Sequence, residues 1–504
     1  MAVNLKSVNH RYRYQPLPTT VNHRNRITSS FNEFTINEEF KNSIKSSRLA
    51  KSITQLMNTY IEKQQSLIKK DLFQSDNQNA VALSNSLLEK PVTSPKKNIS
   101  KIWREIHGEN DWEGVLDPLD ENVRREILKY GEFSQASYDS FDFDSFSEYC
   151  GSCLFSKKKF FEKLGLEKHG YDVSRYIYAM SQYEIPRWLE KSYVAEEDTW
   201  SKDSNWMGFV CVSGDIESER IGRRDVVVVW RGTVLPSEWY EDMQRDLEPL
   251  GHGEATVERG FLSIYKSKRL STRYNKTSAS EQVMAEVKRL VRVYKEKGEE
   301  VSLTITGHSL GGALALLNAY EASMMFPSLP ISVISFGAPR VGNIAFRDEL
   351  HHKGVKALRV TIKQDLVPRM PGIVFNETLQ KFDDLTGSLD WVYHHVGAEL
   401  KLDVRASPFL KRGSNFFGIH LPETYLHLVD GYVSSTTGFR PDAKRDVALV
   451  NKYCDMLVNE LRIPPCWYQL SNKGLVSNEF GRMVRPKRDP EDIPSPIEEE
   501  NSDF

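Results

Sequence analysis

Over the first hundred residues, apolar and polar positions follow little core-forming order. One segment differs: Leu49, Ile53, Leu56, Met57 and Tyr60 recur at helical spacing with Lys and Gln between them. They predict a helix that docks on the body of the protein, with a membrane surface as the alternative partner. Ser94-Pro95-Lys96-Lys97 reads as a linker. From Ile102 the pattern becomes that of a folded domain. Asp120 to Tyr138 reads as a helix with Val123, Ile127, Tyr130 and Phe133 inward. Asp225 to Trp230 is a short β-branched run, hence a buried strand. Ser278 and Glu281 form a capping box that opens a helix with Val283, Val287, Leu290 and Tyr294 on its apolar face. Val301 to Ile305 reads as a strand, Ala313 to Met325 as an apolar helix, Ile331 to Phe336 as a strand, Asn343 to His352 as a helix and Val355 to Ile362 as a strand. Such alternation predicts an α/β fold with a mainly parallel central sheet flanked by helices.

These patterns divide the chain into an extension over 1–98, a folded domain over 99–485 and a Pro- and Glu-rich tail over 486–504 expected to lack order. Composition adds one feature. The first acidic residue is Glu33, and before it stand Lys6, Arg11, Arg13, Arg24 and Arg26 among Ser, Thr and Asn. A basic, hydroxylated and acid-poor start without an apolar core is the composition of an organelle transit peptide. The net charge of -2 gives no electrostatic case for nucleic acid. No apolar run approaches the roughly 20 residues of a membrane span, so a soluble or peripheral protein is expected. Of five cysteines, Cys150 and Cys153 form a C-x-x-C, but no second pair or histidine stands at zinc spacing. They read as two ordinary thiols, and no metal or organic cofactor is expected.

The chemistry is concentrated at Gly307-His308-Ser309-Leu310-Gly311. G-x-S-x-G arises by chance in roughly one chain of this size in six. Here it stands between a predicted strand and a predicted helix, the context a nucleophile elbow requires. A serine hydroxyl needs a base to take its proton, and the base needs a carboxylate to orient it. In this architecture the order along the chain is Ser, Asp, His. Asp403 is a further candidate, while Asp348 falls in a helix pattern and Asp383, Asp384 and Asp390 in a polar insert. Asp365 stands just past a strand, where α/β sheets keep functional groups, and is selected. Of the histidines, His351 and His352 precede it in a helix and His427 lies on an apolar face as a core residue. Spacing slightly favours His420 over His395 as the base.

An oxyanion needs two N–H donors. Leu310, directly after the serine, is one. Thr233, in the loop after the strand ending at Trp230, is the other. Trp239, Met243 and Leu247 then recur every four residues, with acids between them. They predict a short amphipathic helix, read as a lid over an apolar site rather than as a core element.

Several segments resemble the class 3 lipases, of which the fungal triacylglycerol lipases are the best-known members. They are WRGT at 230–233, the lid-like EWYEDM, RGFLSIY at 259–265, TGHSLGGALA at 306–315, SFGAPRVGN at 335–343 and DLVPRMP at 365–371. The opening KIWREIHGENDWEGVLDPLDENVRREILKYGEF at 101–133, together with HVGAELKLD, SPFLKR, HLPETYLHLVDGY and NKGLV, resembles the plant acyl hydrolases called chloroplastic phospholipase A1, class I. The resemblance covers about residues 100 to 480. It implies an α/β-hydrolase fold, cleavage of the sn-1 acyl ester of phospholipids and galactolipids, and import into the chloroplast. Its serine falls on Ser309, its aspartate on Asp365 and its histidine on His420, seven residues before His427. The family pattern there is His-x-Leu-Glu-x-x-Leu-His. This chain departs from it, with Leu421-Pro422-Glu423 where the pattern has one residue and then Leu-Glu. A neutral-lipid lipase acting on mono-, di- or triacylglycerols is a second reading. A catalytically silent lipid-binding protein that keeps the fold is a third, of another class.

Overall fold

The computed structural model describes residues 97–144, 147–180, 204–233, 247–251, 253–272, 274–371, 392–413, 416–469 and 474–494. The apolar pattern at 49–60 lies outside them, as do Trp239 and Met243 of the lid-like segment.

Helix α1 (Glu121–Asp139) starts where Asp120 accepts the backbone N–H groups of Asn122 and Val123, which would otherwise be unpaired. Two strands follow, β1 (Tyr171–Ala179) and β2 (Asn205–Ser213), then β3 (Arg224–Trp230). Two short strands, β4 (Leu247–Pro249) and β5 (Thr256–Glu258), pair with each other and lead into helix α2 (Arg259–Lys266). Helix α3 (Ala279–Glu296) carries the expected capping box between Ser278 and Glu281. Then come β6 (Val301–His308), α4 (Leu310–Met325), β7 (Ile331–Phe336), α5 (Ile344–His352), β8 (Lys356–Ile362), β9 (Ala398–Leu402) and α6 (Pro422–Gly431). A small hairpin of β10 (Val476–Ser477) and β11 (Met483–Val484) lies near the C-terminus.

The main sheet runs β1-β2-β3-β6-β7-β8-β9. From β3 onward every neighbouring pair is parallel, whereas β1 and β2 add an antiparallel edge. Burial of both faces explains the unbroken apolar run of β3. Val227 and Val229 join Tyr130 and Phe133 of α1 and Tyr425 of α6 in one core. Val226 and Val228, also fully buried, point to the other face, where α3 and α4 pack. The order places β6 at the centre of the sheet. The loops after β3, β6, β8 and β9 therefore all leave the same carboxyl edge.

Two expectations are corrected. Leu247 does not continue an amphipathic helix; it opens β4 and pairs with Glu258. Pro249, two residues later, disfavours helical backbone before it and so ends any helix that could reach Leu247. The segment after Pro486 was expected to lack order, yet it is held as far as Asp492. There the Arg488 guanidinium lies 2.6 Å from Asp142, and Asp492 accepts the Ser156 N–H at 2.7 Å. Composition reports only how little apolar surface a segment carries, and these anchors are ionic. Among the described residues no helix is long and apolar enough to cross a membrane.

Candidate active site

Ser309 stands in a single-residue turn between β6 and α4, with φ 58° and ψ -127°. An L-residue pays for this backbone with steric strain, and the surroundings hold it there. Its N–H donates to the Phe336 carbonyl of β7 at 2.9 Å, and its carbonyl accepts the Gly312 N–H at 2.9 Å. The turn closes only because two neighbours lack side chains. A Cβ on Gly307 would lie 2.3 Å from the Gly311 backbone, and one on Gly311 would lie 2.2 Å from the Trp230 carbonyl oxygen. The strand therefore runs three residues past the predicted Ile305, and the helix begins at Leu310 rather than at Ala313.

Asp365 lies three residues beyond β8. His420 ends a short helical turn, Phe416–His420, just before α6. Separated by 111 and 55 residues, the three side chains meet. His420 Nε2 is 2.9 Å from Ser309 Oγ, and Nδ1 is 2.6 Å from Asp365 Oδ2. A carboxylate only accepts, so Nδ1 carries the proton and Nε2 offers its lone pair to the serine hydroxyl. All three residues are buried. The remaining oxygen of Asp365 accepts the Val367 N–H at 2.9 Å, and the Tyr425 hydroxyl donates to Oδ2 at 2.5 Å. Three hydrogen bonds, one of them to the imidazole, thus hold the buried carboxylate in place.

Pro422, at the departure from the family pattern, occupies the first turn of α6. A proline there gives up an N–H that has no intrahelical partner anyway, so the departure leaves His420 in place.

Leu310 is the first residue of α4, and first-turn N–H groups have no intrahelical acceptor. The Arg231-Gly232-Thr233 loop presses on Ser309 from the other side. A Cβ on Gly232 would lie 3.2 Å from Ser309 Cβ and 2.5 Å from the His308 carbonyl oxygen. Thr233 follows directly and is the last described residue before the lid-like segment.

The rejected candidates sit elsewhere. Asp348 pairs with Arg347, and Asp403 caps a turn by accepting the Arg405 N–H. Asp383, Asp384 and Asp390 lie outside the described residues. Burial, then the charges of Arg359 and Arg340, push His395 far below the usual histidine range. His427 bonds Ser407 at 2.7 Å and stacks on Phe439, and burial lowers its pKa to about 3. It is a core residue.

Sequence reasoning assigned no role to His308, Tyr138 or Tyr425. His308 Nε2 lies 2.6 Å from the carbonyl oxygen of His420, so this nitrogen carries the proton. Nδ1 is then bare and accepts from the Tyr138 hydroxyl at 2.8 Å. That hydroxyl in turn accepts the Gly232 N–H. Burial, then the charge of His420, holds His308 neutral. One chain of hydrogen bonds thus links the loop bearing Thr233 to the backbone of His420. His308 was visible inside the serine motif. Tyr138, 170 residues earlier, offered no signal.

The family profile described as Lipase (class 3) matches residues 227–375, a span that includes both Ser309 and Asp365. The chain is 45% identical over 410 residues to Phospholipase A1-Igamma1, chloroplastic, of Arabidopsis thaliana, covering 78% of this chain and 79% of that protein. The chain belongs to the class 3 lipases, with the plant chloroplastic phospholipase A1 proteins. Two further relatives of this lipase from the same plant are Phospholipase A1-Igamma3, chloroplastic, 46% identical over 423 residues, and Phospholipase A1-Igamma2, chloroplastic, 39% identical over 498. The first covers 79% of this chain and 80% of that protein, the second 93% of each. As a class 3 lipase the chain is a carboxylic ester hydrolase whose substrates are lipids.

Proposed function

We propose that the enzyme is a chloroplast phospholipase A1 that cleaves the sn-1 acyl ester of phospholipids and galactolipids through Ser309, His420 and Asp365. The relatives quoted above are named phospholipases A1, and all three are named chloroplastic. The N-terminal composition is that of a transit segment. The mechanism follows from the proton positions. Ser309 Oγ attacks the acyl carbonyl while His420 Nε2 takes its proton. Asp365 stabilises the imidazolium without taking a proton itself. The N–H groups of Leu310 and Thr233 receive the negative oxygen of the tetrahedral intermediate. Collapse expels the glycerol oxygen of the lysolipid, which takes the proton from Nε2. Water, deprotonated by His420, then hydrolyses the acyl-enzyme. Trp239 and Met243 follow Thr233 in sequence, and a lid carrying them would shield the apolar chain before contact with lipid.

The observation that carries the reading is the 2.9 Å contact of His420 Nε2 with Ser309 Oγ, with Nδ1 held by Asp365. The test is Ser309→Ala, assayed side by side on galactolipid, phosphatidylcholine and triacylglycerol with positional analysis of the released acyl chain. Loss of all hydrolysis with the fold intact is expected, and full residual activity refutes the role of Ser309. A wild-type preference for triacylglycerol would instead favour the neutral-lipid lipase. Failure of a fluorophosphonate to label Ser309 would favour the silent lipid-binding protein.

A further inference from the structure

The hairpin β10–β11 is built as a fixed apolar prong. Its turn is locked by Asn478, whose side chain accepts the N–H groups of Phe480 and Arg482 at 3.0 and 2.9 Å and whose backbone N–H reaches the Arg482 carbonyl at 2.8 Å. On this rigid turn stand large apolar side chains that no described residue covers. Phe480 is 79% exposed and Met483 60%, and Leu475 and Val476 are exposed beside them. A monomeric soluble surface rarely gathers so many in ten residues.

The same segment is basic. Residues 475–488 contain Arg482, Arg485, Lys487 and Arg488 against the single acid Glu479. Arg485 and Arg488 tie the hairpin to the body through Asp144 and Asp142, at 3.3 and 2.6 Å. Arg482 and Lys487 are exposed and have no carboxylate partner among the described residues.

The anchoring points also fix where the prong sits. Phe141, the residue before Asp142, lies under the Arg231 guanidinium at 3.8 Å, and Arg231 is two residues before Thr233. Arg488 further donates to Ser152 and to the Cys153 carbonyl, and neighbouring Gly151 accepts the N–H of Trp206 at the start of β2. These contacts belong to the sheet edge from which Ser309 projects. Phe143, between the two anchoring carboxylates, is itself exposed.

We infer that the hairpin around Phe480 is a membrane-docking element that inserts its apolar tip into an anionic lipid surface and presents the Ser309 edge of the sheet to it. A bilayer offers hydrocarbon for Phe480 and Met483 at a depth just below phosphates for Arg482 and Lys487. A protein partner would have to supply both in the same arrangement. The inference rests on the hydrolase reading only for its purpose, because docking and catalysis are measured separately.

The test uses the full chain carrying Ser309→Ala, so that lipid is not consumed, and co-sedimentation with vesicles of phosphatidylcholine plus phosphatidylglycerol or of phosphatidylcholine alone. Preferential binding to the mixed vesicles is expected. Phe480→Ser with Met483→Ser should lower the partition coefficient by about tenfold or more. Arg482→Glu with Lys487→Glu should abolish the preference for the mixed vesicles while leaving the weaker binding to phosphatidylcholine. With Ser309 restored, the charge-reversed protein should hydrolyse a short water-soluble ester within about twofold of wild type, as expected for surface substitutions. Unchanged partition in both double variants overturns the inference. So does a concentration-dependent dimer that Phe480→Ser with Met483→Ser dissolves while vesicle binding persists, since the occupant would then be a second copy. If vesicle binding depends on the hairpin but wild type hydrolyses no ester, docking stands and the hydrolase reading fails.

Discussion

The hydrogen-bond chain from Gly232 through Tyr138 and His308 to the His420 carbonyl makes Tyr138→Phe an informative perturbation. The substitution removes one oxygen and keeps the ring. It leaves the Gly232 N–H without its acceptor and His308 Nδ1 without its donor. An orphaned polar group costs about 1–3 kcal/mol when dry. Tyr138 is half-buried as a residue, so any water that enters the gap would soften the loss. A combined cost of about 1–3 kcal/mol is expected rather than the sum of two full penalties. Half of that appearing in the transition state would slow turnover about two- to tenfold, since 1.4 kcal/mol is a factor of ten. Because the chain of bonds joins the proposed oxyanion loop to the proposed base, kcat and kcat/KM should fall together. The assay is hydrolysis of a water-soluble ester, which needs no interface, alongside urea unfolding of the same protein. Wild-type kcat in a Tyr138→Phe protein that has lost stability would refute the claim that these bonds serve the site and would reduce them to packing.

Two further predictions concern the frame. Arg445 is buried between Glu132 of α1 at 2.6 Å and Glu423 of α6 at 2.5 Å; Glu132 also pairs with Lys168 and His169, so Arg445→Met strands Glu423 and should cost about 3–5 kcal/mol, measured by urea unfolding; a loss below about 1 kcal/mol would show that these pairs do not hold α6. Burial, then Arg223, lowers His107 to about 4, and burial lowers His427 to about 3. Both pKa values lie below the unfolded value, so this stability is present above the unfolded pKa and is lost as pH falls toward the folded one. Each histidine should remove about 2 kcal/mol between roughly pH 7 and pH 5, and His107→Gln should flatten the unfolding slope over that window; an unchanged slope would mean that His107 is already charged in the folded state.

Much of the sheet was legible because parallel strands buried on both faces leave unmistakable runs. VVVV in β3 and ISVISF in β7 have no other home. The antiparallel strands β1 and β2 were missed. YDVSRYIYA mixes polar and aromatic positions, and β2 is interrupted by Gly208. Ser309 and Asp365 could be selected from local context, one by its glycines and the other by its place after a strand. His420 could be favoured only slightly over His395 by spacing, because the choice depends on how the chain returns after β9 and on the turn at 416–420. Tyr138 and Tyr425 were illegible for a related reason. Their hydroxyls matter through distant partners, and nothing in a tyrosine's neighbours announces that. Leu247 shows the opposite error, an i, i+4 rhythm overruled by a proline two residues on.

The left-handed backbone at position 309 has a consequence for how this protein can be improved. Glycine would sit there without strain, gaining on the order of 1–3 kcal/mol, and on the proposed chemistry it would be inert. Selection for heat resistance alone would therefore reward loss of the alcohol. A search for sturdier variants has to screen turnover in every round, or its winners will be proteins that last longer and do nothing.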